Sequence, residues 1–111
     1  MEDELGQFHG TSRYLKNFTG LLFTDGVKFL ADQAGCYWLI GLVGSYQRSL
    51  EGVRFQLWEL DAGEDNKAVV TMREDTDEPV LVRQRIPYTD FPLRRFSFYC
   101  VDNVMMLKSE Y

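Results

Sequence analysis

The stretch that decides the fold is Val53-Arg54-Phe55-Gln56-Leu57-Trp58, in which apolar and polar side chains alternate as far as Leu57. Alternation with a period of two is typical of a β-strand that has one buried face. Ahead of this stretch, apolar residues recur every three or four positions. Behind it, alternating segments recur between turns. The stretch therefore marks the boundary between a helical first half and a β-rich second half.

Two helices are predicted ahead of this boundary. The first begins at Thr24-Asp25 and ends before Gly35, a residue type that is common at helix C-caps. Its apolar face comprises Val27, Leu30, Ala31 and Ala34. The second helix runs from about Cys36 to Ser49, and its first half is apolar on nearly every face. Gly41 and Gly44 each cost about 1 kcal/mol relative to Ala in a helix interior, so we expect another backbone to approach closely there.

The predicted strands follow the boundary at short intervals. After the strand that starts at Val53 they are Lys67 to Arg73, Val80 to Ile86, Phe96 to Val101 and Val104 to Leu107. Asp102-Asn103 has the chemistry of a hairpin turn. Residues 1–20 are predicted to form a mostly irregular N-terminal arm, with a short helix around Thr11 to Leu15, and residues 21–23 a short extended piece. The pattern predicts an α+β fold in which two helices pack on one face of a four- or five-stranded, mainly antiparallel meander.

Length, charge and hydropathy narrow the class of protein. The 111 residues predict a single domain spanning 1–111. The net charge of −5 and the pI of about 4.8 disfavour nucleic-acid binding. No apolar stretch is long enough to span a bilayer, so we expect no membrane partner. The acidic start, Met1-Glu2-Asp3-Glu4, differs from the basic start of a signal peptide. The sequence therefore predicts a soluble, cytoplasmic protein.

The sequence offers no catalytic, metal-binding or cofactor-binding constellation. Cys36 and Cys100 fit no metal-ligand spacing and are predicted to be buried free thiols. His9 is the single histidine, and one histidine makes no metal cluster. The serines lack a Gly-x-Ser-x-Gly context, and no glycine-rich phosphate loop is present. We therefore predict no metal and no cofactor, and we consider enzymatic activity the least favoured function.

Charged residues gather in the second half of the chain. Eight acids lie from Glu59 to Glu78, in two clusters at predicted turns that a meander places at opposite ends of the sheet. Solvated turns explain them better than a nucleic-acid mimic or a calcium site, because neither turn has EF-hand spacing. A basic group comprises Arg83, Arg85, Arg94 and Arg95. Arg83 and Arg85 lie on the same face of their strand, where they could form surface ion pairs or bind an anion or an acidic partner.

A pair of Thr-Asp segments supplies the candidate site. Phe23-Thr24-Asp25-Gly26 is echoed by Tyr88-Thr89-Asp90-Phe91-Pro92. Thr and Asp side chains cap helices and turns, and this structural explanation is the favoured one for both segments. The alternative is a shared ligand site, whose candidate residues are Thr24, Asp25, Tyr88, Thr89 and Asp90, with Arg83 or Arg95 as the charge partner. The sequence leaves open whether the two turns meet in space.

Several motifs together resemble a family of small bacterial, phage and plasmid proteins known only as a domain of unknown function. They are Phe8-His9-Gly10-Thr11, Tyr14, Thr24-Asp25-Gly26, Val27-Lys28-Phe29-Leu30-Ala31, Tyr37-Trp38-Leu39, Ser45-Tyr46-Gln47, Phe55-Gln56-Leu57-Trp58, Ile86-Pro87-Tyr88-Thr89-Asp90-Phe91-Pro92-Leu93 and Ser109-Glu110-Tyr111. The likeness runs from about Leu5 to Tyr111. Lys108 stands where such proteins usually have a proline. The resemblance implies one intact domain and supplies no activity.

Three functions remain in contention. The first is an interaction or accessory protein of a bacterium or its mobile elements, which acts through contact with a protein partner. The second is a small-molecule or anion-binding module with its site near the two Thr-Asp turns. The third is an enzyme that uses Asp25 or Asp90 as a general base, which requires a desolvated carboxylate in a cleft. We favour the first. The sequence leaves the oligomeric state open, a homodimer included.

Overall fold

The strand predicted at the boundary is an interior strand of the sheet. The computed structural model describes residues 14–63 and 65–111. The strands are β1 (Tyr14–Lys16), β2 (Leu22–Thr24), β3 (Phe55–Ala62), β4 (Ala68–Arg73), β5 (Val82–Ile86), β6 (Arg95–Val101) and β7 (Val104–Leu107). The helices are α1 (Asp25–Ala34) and α2 (Tyr37–Tyr46), with 3₁₀ turns at Gln47–Leu50 and Lys108–Glu110. The arm up to residue 13, His9 and Glu64 lie outside the described residues.

All seven strands form one mixed sheet in the order β1-β2-β7-β6-β3-β4-β5. The pairs are antiparallel except for β2 and β7, which are parallel. The fold class is α+β as expected, but the prediction of a four- or five-stranded antiparallel meander was wrong. A meander would place β6 beside β5, whereas β6 pairs with β3. Residues 87–94 carry the chain back across the sheet, and the N–H of Ala62 donates to the carbonyl of Arg94 at 2.7 Å.

The sheet is larger than predicted because β1 and β2 were not recognised as strands of it. Each of them has only three residues. Three residues are too few to show a periodicity, and their pairing is partly non-local. Leu22 of β2 lies opposite Val104 of β7. The prediction of a short helix around Thr11 to Leu15 was wrong at the C-terminal end of that helix. Tyr14 and Leu15 belong to β1, which pairs with β2. The predicted extended piece at residues 21–23 corresponds to β2.

The helix ends follow local chemistry. Thr24 caps α1, since its side-chain oxygen accepts the N–H of Val27 at 3.2 Å. Gly35 ends the helix with a φ of 62°, in the left-handed region that favours glycine. The close approach predicted beside α2 is made by side chains and not by backbone: a Cβ on Gly44 would overlap the side chain of Thr19. Gly41 has more room, because a Cβ on Gly41 would lie 3.5 Å from the nearest atom of the Phe18 side chain.

Both helices contribute to one hydrophobic core on a single face of the sheet. On β3 that face carries Gln56, Trp58 and Leu60, all of them buried. The prediction from Val53, Phe55 and Leu57 therefore selected the opposite face, because the large buried residues begin one position later. Neighbouring strands add Phe98, Cys100, Val70, Met72 and Met105 to the core, and the helices add Val27, Leu30, Ala31, Leu39, Ile40 and Val43.

A small polar network joins the half-buried Gln47 to the buried Gln56 and Trp58. The side-chain amides of Gln47 and Gln56 exchange two hydrogen bonds of 2.9 Å. The same oxygen of Gln56 accepts the indole N–H of Trp58, also at 2.9 Å. Burial of polar groups is costly unless they are hydrogen-bonded. This network therefore fixes the 3₁₀ turn after α2 against β3.

Candidate functional site

The first Thr-Asp segment is engaged in a contact within the protein. Besides capping α1, the hydroxyl of Thr24 donates to the carboxylate of Glu110 at 2.6 Å. The same carboxylate accepts the N–H of Gly26 at 3.3 Å and that of Leu107 at 2.9 Å. A carboxylate is favourable there, because the first N–H groups of a helix carry partial positive charge. Thr24 therefore has two partners within the protein, Val27 and Glu110. The negative charge beside it is the carboxylate of Glu110, and not that of a ligand.

Gly26 makes this contact sterically feasible. A Cβ at that position would lie 2.7 Å from both the Oε1 of Glu110 and the Cδ1 of Leu107. Such distances are shorter than side chains tolerate, so any residue larger than glycine would displace Glu110 or the helix start. The Gly that follows the first Thr-Asp is thus required by packing against the Ser109-Glu110-Tyr111 segment.

The second Thr-Asp segment anchors the connection between β5 and β6. Thr89 is buried, and its hydroxyl accepts the N–H of Phe91 at 3.1 Å. The N–H of Thr89 donates to the carbonyl of Asn66 at 2.7 Å. This bond ties the connection to the turn between β3 and β4. Tyr88, with 70% of its surface exposed, and Asp90 point to solvent.

The two Thr-Asp segments do not come together. The first follows β2 and the second follows β5, and five strand intervals separate these strands in the sheet. At about 4.8 Å per interval, the separation along the sheet is about 24 Å. The hydrogen bonds of Thr24 and of Thr89 therefore hold the two segments in different parts of the fold. The echo consists of two separate local structures, one at a helix start and one at a turn.

A cleft of about 890 Å³ lies beside the second segment, at the ends of β3, β4, β5 and β6 and next to the turn between β3 and β4. Its apolar surface is supplied by Ala62, Ala68, Val69, Ile86 and Pro87, and its charged side chains are Lys67, Arg85, Arg94, Arg95, Asp61 and Asp65. Four cationic side chains thus face two carboxylates among the described lining residues. We call this region the basic cleft. Its local excess of positive charge contrasts with the net charge of −5 of the whole chain.

Sheet register explains why these charges meet. Val69 lies opposite Arg85 in β5 and opposite Asp61 in β3, and Asp61 lies opposite Arg95 in β6. Residues in register point to the same face of a sheet, so these side chains share the face opposite the helices. Arg95 donates to Asp61 at 2.6 Å, and this hydrogen bond raises the pKa of Arg95. Arg94 also has a contact within the protein, so the lining cations available to an anion are Lys67 and Arg85.

Of the predicted basic group, Arg85, Arg94 and Arg95 line the cleft. Arg83 points to the same side of β5, opposite Thr71 and one row further from the cleft. Lys67 was not among the predicted site residues, although its position directly after an acidic turn could have indicated it. A second cavity of about 210 Å³ shares Ala62, Gly63 and Arg94 with the cleft and is otherwise lined by Phe91, Pro92 and Leu93.

The remaining reactive groups are structural. Cys36 and Cys100 are buried free thiols, as predicted. Burial raises the pKa of Cys36 to about 11 and that of Cys100 to about 12, so both stay protonated near neutral pH. Within residues 14–63 and 65–111, no group of three or more His, Cys, Asp or Glu side chains is arranged to hold a metal ion. In the same ranges, no helix has the length and apolar character needed to cross a membrane.

Fold and site together define a small α+β protein with a mixed seven-stranded sheet and a basic cleft at one end of that sheet. A family model described as "Family of unknown function (DUF6876)" matches residues 1–111, the whole chain. The protein therefore belongs to this family. Comparison with curated proteins and comparison with solved structures gave no significant match.

Proposed function

We propose that this protein is a non-catalytic accessory protein of a bacterium or its mobile elements, and that it binds an acidic segment of a partner protein at the basic cleft. The observation that carries the proposal is the position of Lys67 and Arg85 on one concave surface, beside Arg94 and the Asp61-bound Arg95. In a protein whose net charge is −5, such a concentration of positive charge focuses the local field on that surface. An acidic segment is attracted to the basic cleft and repelled by the rest of the negatively charged protein.

The apolar floor of the cleft adds a second requirement for the ligand. Val69 lies between Arg85 and Asp61 in the charged row, and Ala62, Ala68 and Ile86 also line the cleft from the adjacent row, so a purely hydrated anion would leave this surface unused. A peptide that combines carboxylates with apolar side chains would cover both. Tyr88 follows Pro87 at the rim and is exposed, so it is placed to contact such a peptide. Aromatic side chains of this kind often contribute strongly to binding.

The test is fluorescence anisotropy with a labelled ten-residue peptide that alternates Glu with apolar residues. We expect Arg85→Glu or Lys67→Glu to weaken binding about tenfold, equivalent to about 1.4 kcal/mol. Arg48→Glu is the matched control, because it changes the net charge equally at the 3₁₀ turn before β3, whereas the cleft lies at the far end of β3. Binding should also weaken with added salt. Equal affinity of the three variants and the wild type would refute the proposed site.

A second candidate is a small anionic ligand, which the cleft volume favours. Small-molecule sites typically enclose about 300–1,000 Å³, and the basic cleft has about 890 Å³. Calorimetric titration with citrate and with pyrophosphate distinguishes this function from peptide binding. Micromolar affinity for either anion, abolished by Arg85→Glu and accompanied by no peptide binding, would support the small-molecule function.

A further inference from the structure

The strand beside the basic cleft has a free edge. β5 pairs with β4 on one side, and among the described residues no strand pairs with its other side. The backbone N–H and C=O groups of an edge strand can pair with another extended chain. Protein modules commonly use such an edge to bind peptides as an added strand.

The inner face of β5 is firmly anchored. Val82 is buried, and Gln84 accepts a hydrogen bond of 2.6 Å from the hydroxyl of Tyr46 on α2. On the opposite face, Arg83 and Arg85 are both exposed. Two positions along a strand correspond to about 6.8 Å, so the two guanidinium groups form a regular pair beside the free edge. The edge is therefore rigid and carries one sign of charge.

This charge selects the strand that can be added. If two copies of β5 paired antiparallel about Gln84, Arg83 of one copy would lie opposite Arg85 of the other. Like charges directly opposite destabilise a strand pair, whereas opposite charges stabilise it by about 0.2–1 kcal/mol. The edge thus opposes pairing between copies of this protein and favours a strand with acidic side chains at alternate positions.

We propose that the acidic segment of the partner binds as an extended strand along the free edge of β5, with carboxylates at alternate positions facing Arg83 and Arg85. This inference rests on the proposed function and specifies how the partner is held. From Arg85 the added strand continues towards Pro87, which lines the basic cleft, so one peptide reaches both surfaces. Main-chain pairing supplies affinity, and the alternating charges supply register.

Backbone methylation of the peptide tests this directly. In a strand, successive N–H groups point to opposite sides, so methylation of the odd residues and methylation of the even residues block opposite edges of the peptide. We expect one methylated peptide to bind at least about tenfold more weakly than the unmethylated peptide, and the other to bind nearly as well. A peptide of identical composition with its acids in one block should also bind more weakly. Arg83→Gln should weaken the alternating peptide about threefold, and Arg48→Gln should have no effect.

The outcomes separate the two proposals. If both methylated peptides and the block peptide bind as well as the alternating one, and Arg85→Glu still weakens all of them, the basic cleft is the site and strand addition is wrong. If no acidic peptide binds at any salt concentration, the proposed function fails and strand addition fails with it. Loss of affinity with only one methylation pattern establishes strand addition, and protection of β5 amides from hydrogen exchange in the complex would confirm it.

Discussion

The hydroxyl of Thr24 donates a hydrogen bond of 2.6 Å to the carboxylate of Glu110, although 86 positions separate the two residues in the chain. Glu110 is only 9% exposed and has three hydrogen-bond donors around it. Two motifs that the sequence presents separately, Thr24-Asp25-Gly26 and Ser109-Glu110-Tyr111, are therefore one hydrogen-bonded unit. This unit joins the start of α1 to the segment after β7.

Removal of the carboxylate should destabilise the protein strongly. In Glu110→Ala, the hydroxyl of Thr24 and the N–H groups of Gly26 and Leu107 lose their acceptor in a buried environment. Each unsatisfied buried group costs about 1–3 kcal/mol, and partial relaxation leads us to expect a total loss of about 3 kcal/mol. Urea denaturation followed by circular dichroism measures it. Glu110→Gln retains an acceptor oxygen and should lose less than half as much. Ordinary surface substitutions change the free energy of unfolding by up to about 0.5 kcal/mol. A loss no larger than this in Glu110→Ala would contradict this account.

Two glycines in helices should respond to alanine in opposite ways. Gly26→Ala places a methyl group 2.7 Å from Glu110 and Leu107, and we expect a loss of about 1–3 kcal/mol in the free energy of unfolding. Gly41→Ala meets only Phe18 at 3.5 Å, so it should be neutral or stabilise α2 by up to about 1 kcal/mol. Thermal denaturation of both variants checks the pair. Equal stabilisation of both variants would show that helix propensity, and not the packing against Glu110, governs Gly26.

The buried amide network should depend on Gln56 more than on Gln47. Gln56→Leu removes the acceptor of the Trp58 indole N–H, which is fully buried, together with the partner of Gln47. We expect this variant to lose about 2 kcal/mol of stability. Gln47→Leu leaves the contact between Gln56 and Trp58 intact and should lose about 1 kcal/mol. The tryptophan fluorescence spectrum should shift only in the Gln56 variant, and a shift of the same size in both would argue against the proposed arrangement.

The two thiols should make the stability fall at alkaline pH. Their pKa values in the folded protein, about 11 and about 12, exceed the ordinary value of 9.0. Because the unfolded thiols ionise first, this contribution to stability is fully present below pH 9 and is lost as the pH rises towards 11 and 12. Urea midpoints measured between pH 8 and pH 10.5 should fall less steeply in the Cys36→Ala/Cys100→Ala variant than in the wild type. At pH 8, the folded protein should react with a thiol reagent only as fast as it unfolds.

Features governed by neighbours in the chain were predictable. Thr24 and Gly35 bound α1 as their residue types indicate, and Asp102-Asn103 forms the turn between β6 and β7 with positive φ at both positions. Strand β7 has the predicted limits. These features depend on backbone preferences and side-chain chemistry within a few residues, which a single sequence displays directly.

Features governed by distant pairing were not predictable. The sheet order depends on the pairing of β6 with β3 and not with β5. Nothing in the periodicity of residues 95–101 identifies β3 as the neighbour. The same applies to Glu110, whose partner lies at the start of a helix, and to Lys67, which lines the same cleft as Arg85. The alternation of β5 did predict that Arg83 and Arg85 share an exposed face, because that relation is local.

The parallel pairing of β2 with β7 has a consequence for the order of events during translation. The ribosome releases β1, β2 and α1 early, but the strand that joins them to the rest of the sheet is made only with residues 104–107. Until then the hairpin of β1 and β2 has no further neighbour, and the helix start at Thr24 lacks its carboxylate partner. A nascent chain that stops at residue 103 can pair β3 with β4 and β6, and β4 with β5, but its β1-β2 hairpin has no strand of the sheet to join. We therefore expect the earliest segments made to be the last to become resistant to proteases.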